Sequence, residues 1–295
     1  MNFNTKETLI GLQCLGLDLE TGKSTEILVK ELEDLTGIRQ VSNGSKVIRI
    51  CDGEIYTTNQ CGELVIVKYV NNNIVHVKFL DTGYETITRA RQIRKGAVKD
   101  TYLPSVLGKG VVGNKFPTKS GSKPTKEYLL WTNMLKRCYS ENLHLKHVSY
   151  VGCTVSENFR QYTYFYEWCN SQIGFGVEGF QLDKDILSKG NKIYSEDTCV
   201  FVPNEINCLT INTESKRGIY PVGVSYNENT RNYSTYMSAY SKLKYLGRYN
   251  TPEQAFLAYK IAKESYIKEV AEKWRDQIDP RVYNTLMNYE VNIDD

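Results

Sequence analysis

The chain has 295 residues, 37 Lys/Arg against 34 Asp/Glu, eight Cys and three His. A charge this near balance is not that of a uniformly basic nucleic-acid coat. No apolar run approaches the eighteen residues a helical membrane span needs, and eight cysteines without a CxxC beside three His exclude a tetrahedral zinc constellation.

The distribution of charge says more than its sum. Residues 1–45 hold 4 basic and 7 acidic side chains, whereas residues 46–120 hold 12 and 6. The acidic opening segment carries two helix patterns, about Thr5–Leu15 and Ser24–Leu35, the second with Ile27, Leu28, Leu32 and Leu35 at three- and four-residue steps before the stop signal Gly37. Its acidity argues against phosphate contact and for packing or a partner protein.

From Lys46 the period switches to two. Glu63–Val70, Ile74–Phe79 and Tyr84–Ile93 read as strands separated by turns at Asn71–Asn73 and Asp81–Gly83. A twisted meander of this size closes into a small barrel, expected over 46–113. Its third strand ends in Arg89, Arg91, Arg94 and Lys95, with 89 and 91 on one strand face. That run is a phosphate-binding patch or a charged edge that blocks strand pairing, and the pattern fits both. Cys51 and Cys61 are spaced to pair across a hairpin, but no signal peptide precedes them, and reduced, mostly buried cysteines of a cytosolic protein are the expectation.

Gly108–Gly113 spells GxGxxG without the strand and helix that a nucleotide loop requires, so it reads as a loop into a linker over 114–124. Thr125 caps a helix over 126–139 that buries Tyr128, Trp131, Leu135 and Cys138, and a second helix follows over 157–171. Lys136 and Arg137 are the candidate phosphate contacts there. Phe180–Ile186 and Cys199–Val202 then read as strands around a turn at Lys189–Asn191, with a helix starting after Pro203.

In the C-terminal part, Gly223-Val224-Ser225-Tyr226 opens a strand, Asn227–Asn229 is a turn, Tyr233–Ala239 and Lys242–Tyr249 are two further strands, and Thr251-Pro252-Glu253-Gln254 is a capping box with proline at the first helical position. The helix stripe Ala255, Tyr259, Ala262, Tyr266, Val270 and Trp274 is wide enough to cover a sheet. Asp279-Pro280 breaks this helix, Arg281–Tyr289 forms a last short one, and the tail over 276–295 is expected to fray at its acidic end.

Three resemblances follow from these residues. The meander resembles Tudor and KOW barrels, which bind peptides or RNA. The run QLDKDILSKGNKIYSEDTCVFVPNEIN, Gln181 to Asn207, resembles the ββα core of phage-encoded HNH homing endonucleases. GVSY at 223–226, YLGRY at 245–249 and TPEQAFLAY at 251–259 resemble the DNA-binding domain of ethylene-response factors and its phage relatives.

The HNH likeness implies Asp183 and Asn207 as ligands of one divalent cation such as Mg²⁺, and puts Lys184 where the family has its general base. With an ordinary pKa near 10.4 lysine is a poor base at neutral pH, and Asp185 is the stand-in. The core is therefore either a binding scaffold that needs no cofactor or an active nuclease. The ethylene-response-factor likeness implies Arg231, Tyr233, Lys242, Lys244 and Arg248 as outward contacts to nucleic acid. The sheet has fewer arginines than guanine reading favours, so backbone or shape recognition stays open.

The expectation is thus an α+β protein of several modules: a helical segment (1–45), a small β-barrel (46–113), a degenerate ββα-metal domain (125–212), a three-stranded sheet plus helix (219–275) and a tail (276–295). Its expected partners are duplex DNA or structured RNA, ribosomal RNA included, with a host protein or the ribosome as a further partner. No membrane is involved, and the setting is the cytoplasm of an infected bacterial host.

Overall fold

A computed structural model describes residues 38–40, 46–48, 50–210, 219–239 and 242–293. The chain is α+β and divides into two units, Met1–Asp100 and Thr101–Asp295. The helices expected over 5–15 and 24–35 lie outside the described residues.

In the first unit Ile38–Gln40 pairs with Lys46–Ile48. The main sheet is a four-stranded antiparallel meander of β1 (Ile55–Thr57), β2 (Glu63–Asn71), β3 (Ile74–Phe79) and β4 (Glu85–Thr88), joined in chain order. Period-two alternation puts Leu64, Ile66, Val75, Val77 and Phe79 on one face, where Ile50, Ala90, Ile93 and Val98 complete a core. Among the described residues no ladder joins β1 to β4, so the sheet is open rather than closed by hydrogen bonds into the expected barrel.

The expected third strand is also shorter than its apolar alternation suggested. It ends at Thr88, and Ala90–Arg94 forms the one-turn helix α1 that buries Ala90 and Ile93. These two residues sit three apart, which a helix can bury on one side and a strand cannot.

The second unit begins with the glycine-rich loop. Gly110 lies against α2 (Lys126–Tyr139), where a Cβ would meet Leu135 Cδ1 at 2.5 Å and the Trp131 ring at 2.8 Å. Glycine there allows close packing. The segment 114–124, linker-like in composition, is tied down: Phe116 stacks on Tyr166 with centroids 4.0 Å apart, the Tyr162 hydroxyl donates to Pro117 O, and Lys119–Ser120 pairs with Lys123–Pro124.

Helix α2 has the expected bounds, and Thr125 accepts from Tyr128 N as its cap. The second expected helix is split at Gln161 into α3 (Glu157–Arg160) and α4 (Tyr162–Ser171), because Gln161 bridges to Val111. Trp131, Phe159, Tyr162, Phe165 and Trp168 fill the core between them, and Trp131 Nε1 donates to Phe159 O at 2.8 Å. All seven cysteines among the described residues are free thiols, so Cys51 and Cys61 do not pair. Burial pushes the Cys138 and Cys199 thiols up to about 12.

A short parallel ladder joins β5 (Thr154–Val155) to β7 (Ile193–Tyr194), while β6 (Phe180–Asp183) and β8 (Val200–Pro203) form an antiparallel hairpin with Asp183 opposite Val200. The helix after Pro203 is a single turn, α5 (Asn204–Asn207).

The three-stranded sheet follows as β9 (Val224–Asn227), β10 (Asn232–Ala239) and β11 (Lys242–Tyr249), covered by α6 (Pro252–Trp274). Thr251 accepts from Gln254 N, as the capping box requires. The helix buries Ala255, Tyr266, Ile267, Val270 and Ala271.

This sheet-and-helix layer shares one apolar core with the hairpin. Ile186, Val200, Val202, Ile206 and Leu209 pack with Met237, Ala239, Tyr266, Ile267 and Val270, and α7 (Pro280–Met287) adds Val282 and Leu286. The tail does not fray where it is described. Val291 is buried, its N–H donates to Glu264 and its carbonyl accepts from Lys260 Nζ.

Gly223 opens β9 at φ +76°, and a Cβ there would lie 2.2 Å from the Tyr259 ring. Its carbonyl accepts from Tyr236 N and Thr235 Oγ1. A Gly223→Ala change combines a left-handed backbone with a clash, so urea denaturation should show a loss of about 2 kcal/mol.

Candidate functional site

The hairpin places Asp183, Lys184 and Asp185 on consecutive positions where β6 ends. Asp183 Oδ1 accepts from the backbone N–H groups of Asp185 at 2.8 Å and Ile186 at 2.7 Å, so its carboxylate holds the turn. Burial raises its pKa above the ordinary carboxylate value, and those two N–H bonds oppose the rise.

Lys184 is 6 % exposed. Its Nζ donates to Asp185 Oδ1 at 2.6 Å and to Asn191 O at 2.7 Å, and lies 5.6 Å from the Tyr194 ring centroid. Asn191 Nδ2 returns a bond to Lys184 O at 2.8 Å. Lys184, which the HNH likeness puts in the place of the base, is thus a buried donor that clamps the turn. Asp185, the expected stand-in, is its partner.

Asn207 donates from Nδ2 to Gln181 Oε1 at 2.9 Å, which spans β6 and α5 without engaging Asp183. A divalent cation needs several oxygen ligands, carboxylates above all. Here one carboxylate is turned onto its own backbone beside a lysine, and no group of three or more His, Cys, Asp or Glu among the described residues is placed to hold a metal. The donor set does not fit the cation that the HNH likeness implies.

Basic residues occupy three places. Arg89 caps α1 and Arg91 and Arg94 lie on it, all exposed with Lys95, so Arg91 and Arg94 share a helix face three residues apart; Arg89 and Arg91 do not share a strand face. Arg137 is half-buried, lies 5.6 Å over the Tyr150 ring and shares a hydrogen bond with Tyr194, which makes it a brace. Lys136 is exposed.

The third place is the β9–β10–β11 sheet. Residues directly opposite in an antiparallel ladder share a face. Met237 and Ala239 are buried toward α6, so Lys244 and Lys242, their partners, emerge at the margin of the helix side. Tyr233 pairs with Tyr249 and Tyr226 and sits in a cluster with Tyr220 and Tyr226, at 5.4 Å and 5.1 Å between centroids. Arg231 is exposed in the β9–β10 turn at φ +50°. Of the five residues the likeness nominated, only Arg248, opposite Ser234, shares the face that turns away from the helix.

That outward face centres on residues that charge-based reading passes over. Tyr236 and Tyr245 are cross-strand partners with centroids 5.2 Å apart at 48°, and they are 37 % and 51 % exposed. Leu243 beside them is 70 % exposed. The ladder shifts between Thr235 and Tyr236, where Leu246 has no partner and turns into the core instead.

No protein family, curated protein or solved structure matches this chain. The sheet segment 219–250 carries four Lys/Arg and one Glu, whereas α6 carries four Lys and four Glu. The surplus of positive charge lies in the sheet layer.

The joint between hairpin and sheet layer is polar as well as apolar. Glu205 Oε2 accepts from Lys273 Nζ at 2.6 Å and Trp274 Nε1 at 2.7 Å. Burial alone would raise the Glu205 pKa, but those two donors outweigh it and hold the carboxyl below the usual range. A depressed carboxylate contributes stability that is present above its unfolded pKa of about 4.3 and is lost as pH falls through the folded value. The stability gap between wild type and Glu205→Gln, from urea titrations, should be open at pH ~6 and close below pH ~4.

Proposed function

We propose that this chain is a nucleic-acid-binding protein of phage type, built on a retired HNH-type hairpin and acting on duplex DNA or structured RNA, ribosomal RNA included, without cleaving it. The observation that carries the reading is the charge surplus of the β9–β10–β11 layer, four cations against one carboxylate, over a helix of zero net charge. Polyanions are attracted by such a surface through the release of condensed counterions. The exposed Arg89, Arg91, Arg94 and Lys95 cluster supports the reading with a second basic patch. Two modest sites on one chain multiply through effective concentration.

The loss of cleavage rests on the hairpin chemistry: a clamping lysine in the base position and a carboxylate bonded to its own backbone. Among the described residues no helix is long and apolar enough to cross a membrane. The proposed setting is the host cytoplasm, with the ribosome or another host protein as a further partner.

The test is crosslinking of the tagged chain in cells with sequencing of both DNA and RNA, followed by Mg²⁺ and Mn²⁺ cleavage assays on what is recovered. Enrichment of a structured RNA or a duplex without cutting supports the reading. Cutting at an enriched site that Asp183→Ala abolishes would replace it with an active endonuclease.

A further inference from the structure

Folding does not account for the outward face of the sheet. Tyr236 and Tyr245 form a ring pair at 5.2 Å with Leu243 beside it at 70 % exposure, while β10 alternates so that its other side is buried against α6. Two aromatic rings and a leucine in water at the centre of a sheet form an apolar platform. Cations flank it: Arg248 shares its face three residues beyond Tyr245, roughly 10 Å away at ~3.3 Å per residue, and Lys242 and Lys244 emerge from the same edge strand at the margin of the opposite, helix side.

An apolar aromatic centre with one cation on its face and two at its edge is complementary to exposed bases on a phosphate backbone, because every base has a π-face that stacks on tyrosine. A duplex keeps its bases stacked on each other and offers a groove reader only edges, which bidentate Arg or Asn side chains recognise and tyrosine rings do not. The platform therefore suits unpaired bases.

We propose that the outward face of β9–β10–β11 binds single-stranded nucleic acid, with unpaired bases stacked on Tyr236 and Tyr245 and the adjoining phosphates held by Arg248 on that face and by Lys242 and Lys244 reaching round the edge strand β11 from its helix-side margin. The inference rests on the nucleic-acid reading above and narrows it: within a folded RNA the contact is a loop or bulge, where bases are splayed out.

The full chain is titrated by fluorescence anisotropy against a short labelled oligothymidylate, an oligouridylate of the same length and a duplex of that length. Variants are Tyr236→Ala with Tyr245→Ala, and Tyr236→Phe with Tyr245→Phe. Both side chains are exposed, and thermal melting checks that each variant is folded. The expected result is tighter binding of single strands than of duplex, loss of about tenfold or more with the alanine pair, and retention with the phenylalanine pair, which keeps the stacking faces. Comparing the two single strands identifies the preferred sugar. Single-strand affinity unchanged by the alanine pair, or a wild-type preference for duplex, overturns the inference and leaves nucleic-acid binding standing. No binding to any of the three overturns both.

Discussion

Replacing Lys184 by alanine is expected to lower stability by about 3 kcal/mol in urea denaturation. The side chain is buried, and its ammonium joins Asp185, Asn191 O and the Tyr194 ring at the point where the β6 turn folds back toward β7. Alanine leaves a cavity and an Asn191 carbonyl without its donor. Asp185 is about half exposed and regains water, which holds the loss below the full penalty of an orphaned buried charge. Lys184→Met keeps the stem volume and removes the cost of burying an ammonium, so its loss should be about 1 kcal/mol. An alanine variant as stable as wild type would show that the clamp is not what holds the turn.

Trp274→Ala should have an effect of similar size, about 3 kcal/mol, at the other end of the hairpin. The indole meets Phe180 edge-on at 5.9 Å and donates to Glu205, so it ties the end of α6 to β6 and α5 together. Because Val200, Val202 and Ile206 share a core with Met237 and Val270, amide hydrogen exchange should rise in both the hairpin and the sheet layer. Exchange confined to the last turn of α6 would mean that the two layers open independently. Phenylalanine in place of Trp274 should recover part of the loss, since it keeps an aromatic contact to Phe180 and lacks only the N–H.

The sequence is most legible where local signals agree. Thr125 before an apolar helical stripe, the Thr251-Pro252 cap, and the turns at Asn71–Asn73 and around Asn227 each name one structure, and those elements lie where the pattern puts them. Gly223 is legible in hindsight as a residue that a tyrosine ring lies against.

Where signals conflict, reading falters. Arg89 to Lys95 continues an alternating strand in composition, yet Ala90 and Ile93 must both reach the core, and a helical turn does that. The 114–124 segment has the glycine and lysine content of a linker, but Phe116 finds a long-range partner in Tyr166 that composition cannot announce. The shared core between hairpin and sheet layer is likewise invisible in a chain read segment by segment.

The candidate site was half legible for a similar reason. Positions 183, 184 and 207 stand out through a likeness, but the partners that decide their chemistry, Asn191 and Gln181, are polar residues with no motif of their own. On the sheet, charge points to Lys242 and Lys244, whereas register puts them on the helix side with Ala239 and Met237. The period of two in Tyr236-Met237-Ser238-Ala239 contained the answer for β10. The irregularity at Leu246 hid the matching assignment for β11.

The decisive experiment is the salt dependence of binding by the purified chain, wild type against Lys242→Gln/Lys244→Gln/Arg248→Gln, with whichever nucleic acid it holds most tightly. Each phosphate contact contributes about 0.7–0.9 to the slope of log affinity against log salt, so the triple variant should be shallower by roughly 2 to 3 and weaker at low salt. A wild-type affinity that ignores salt, or a triple variant with an unchanged slope, would contradict a nucleic-acid-binding role for the sheet.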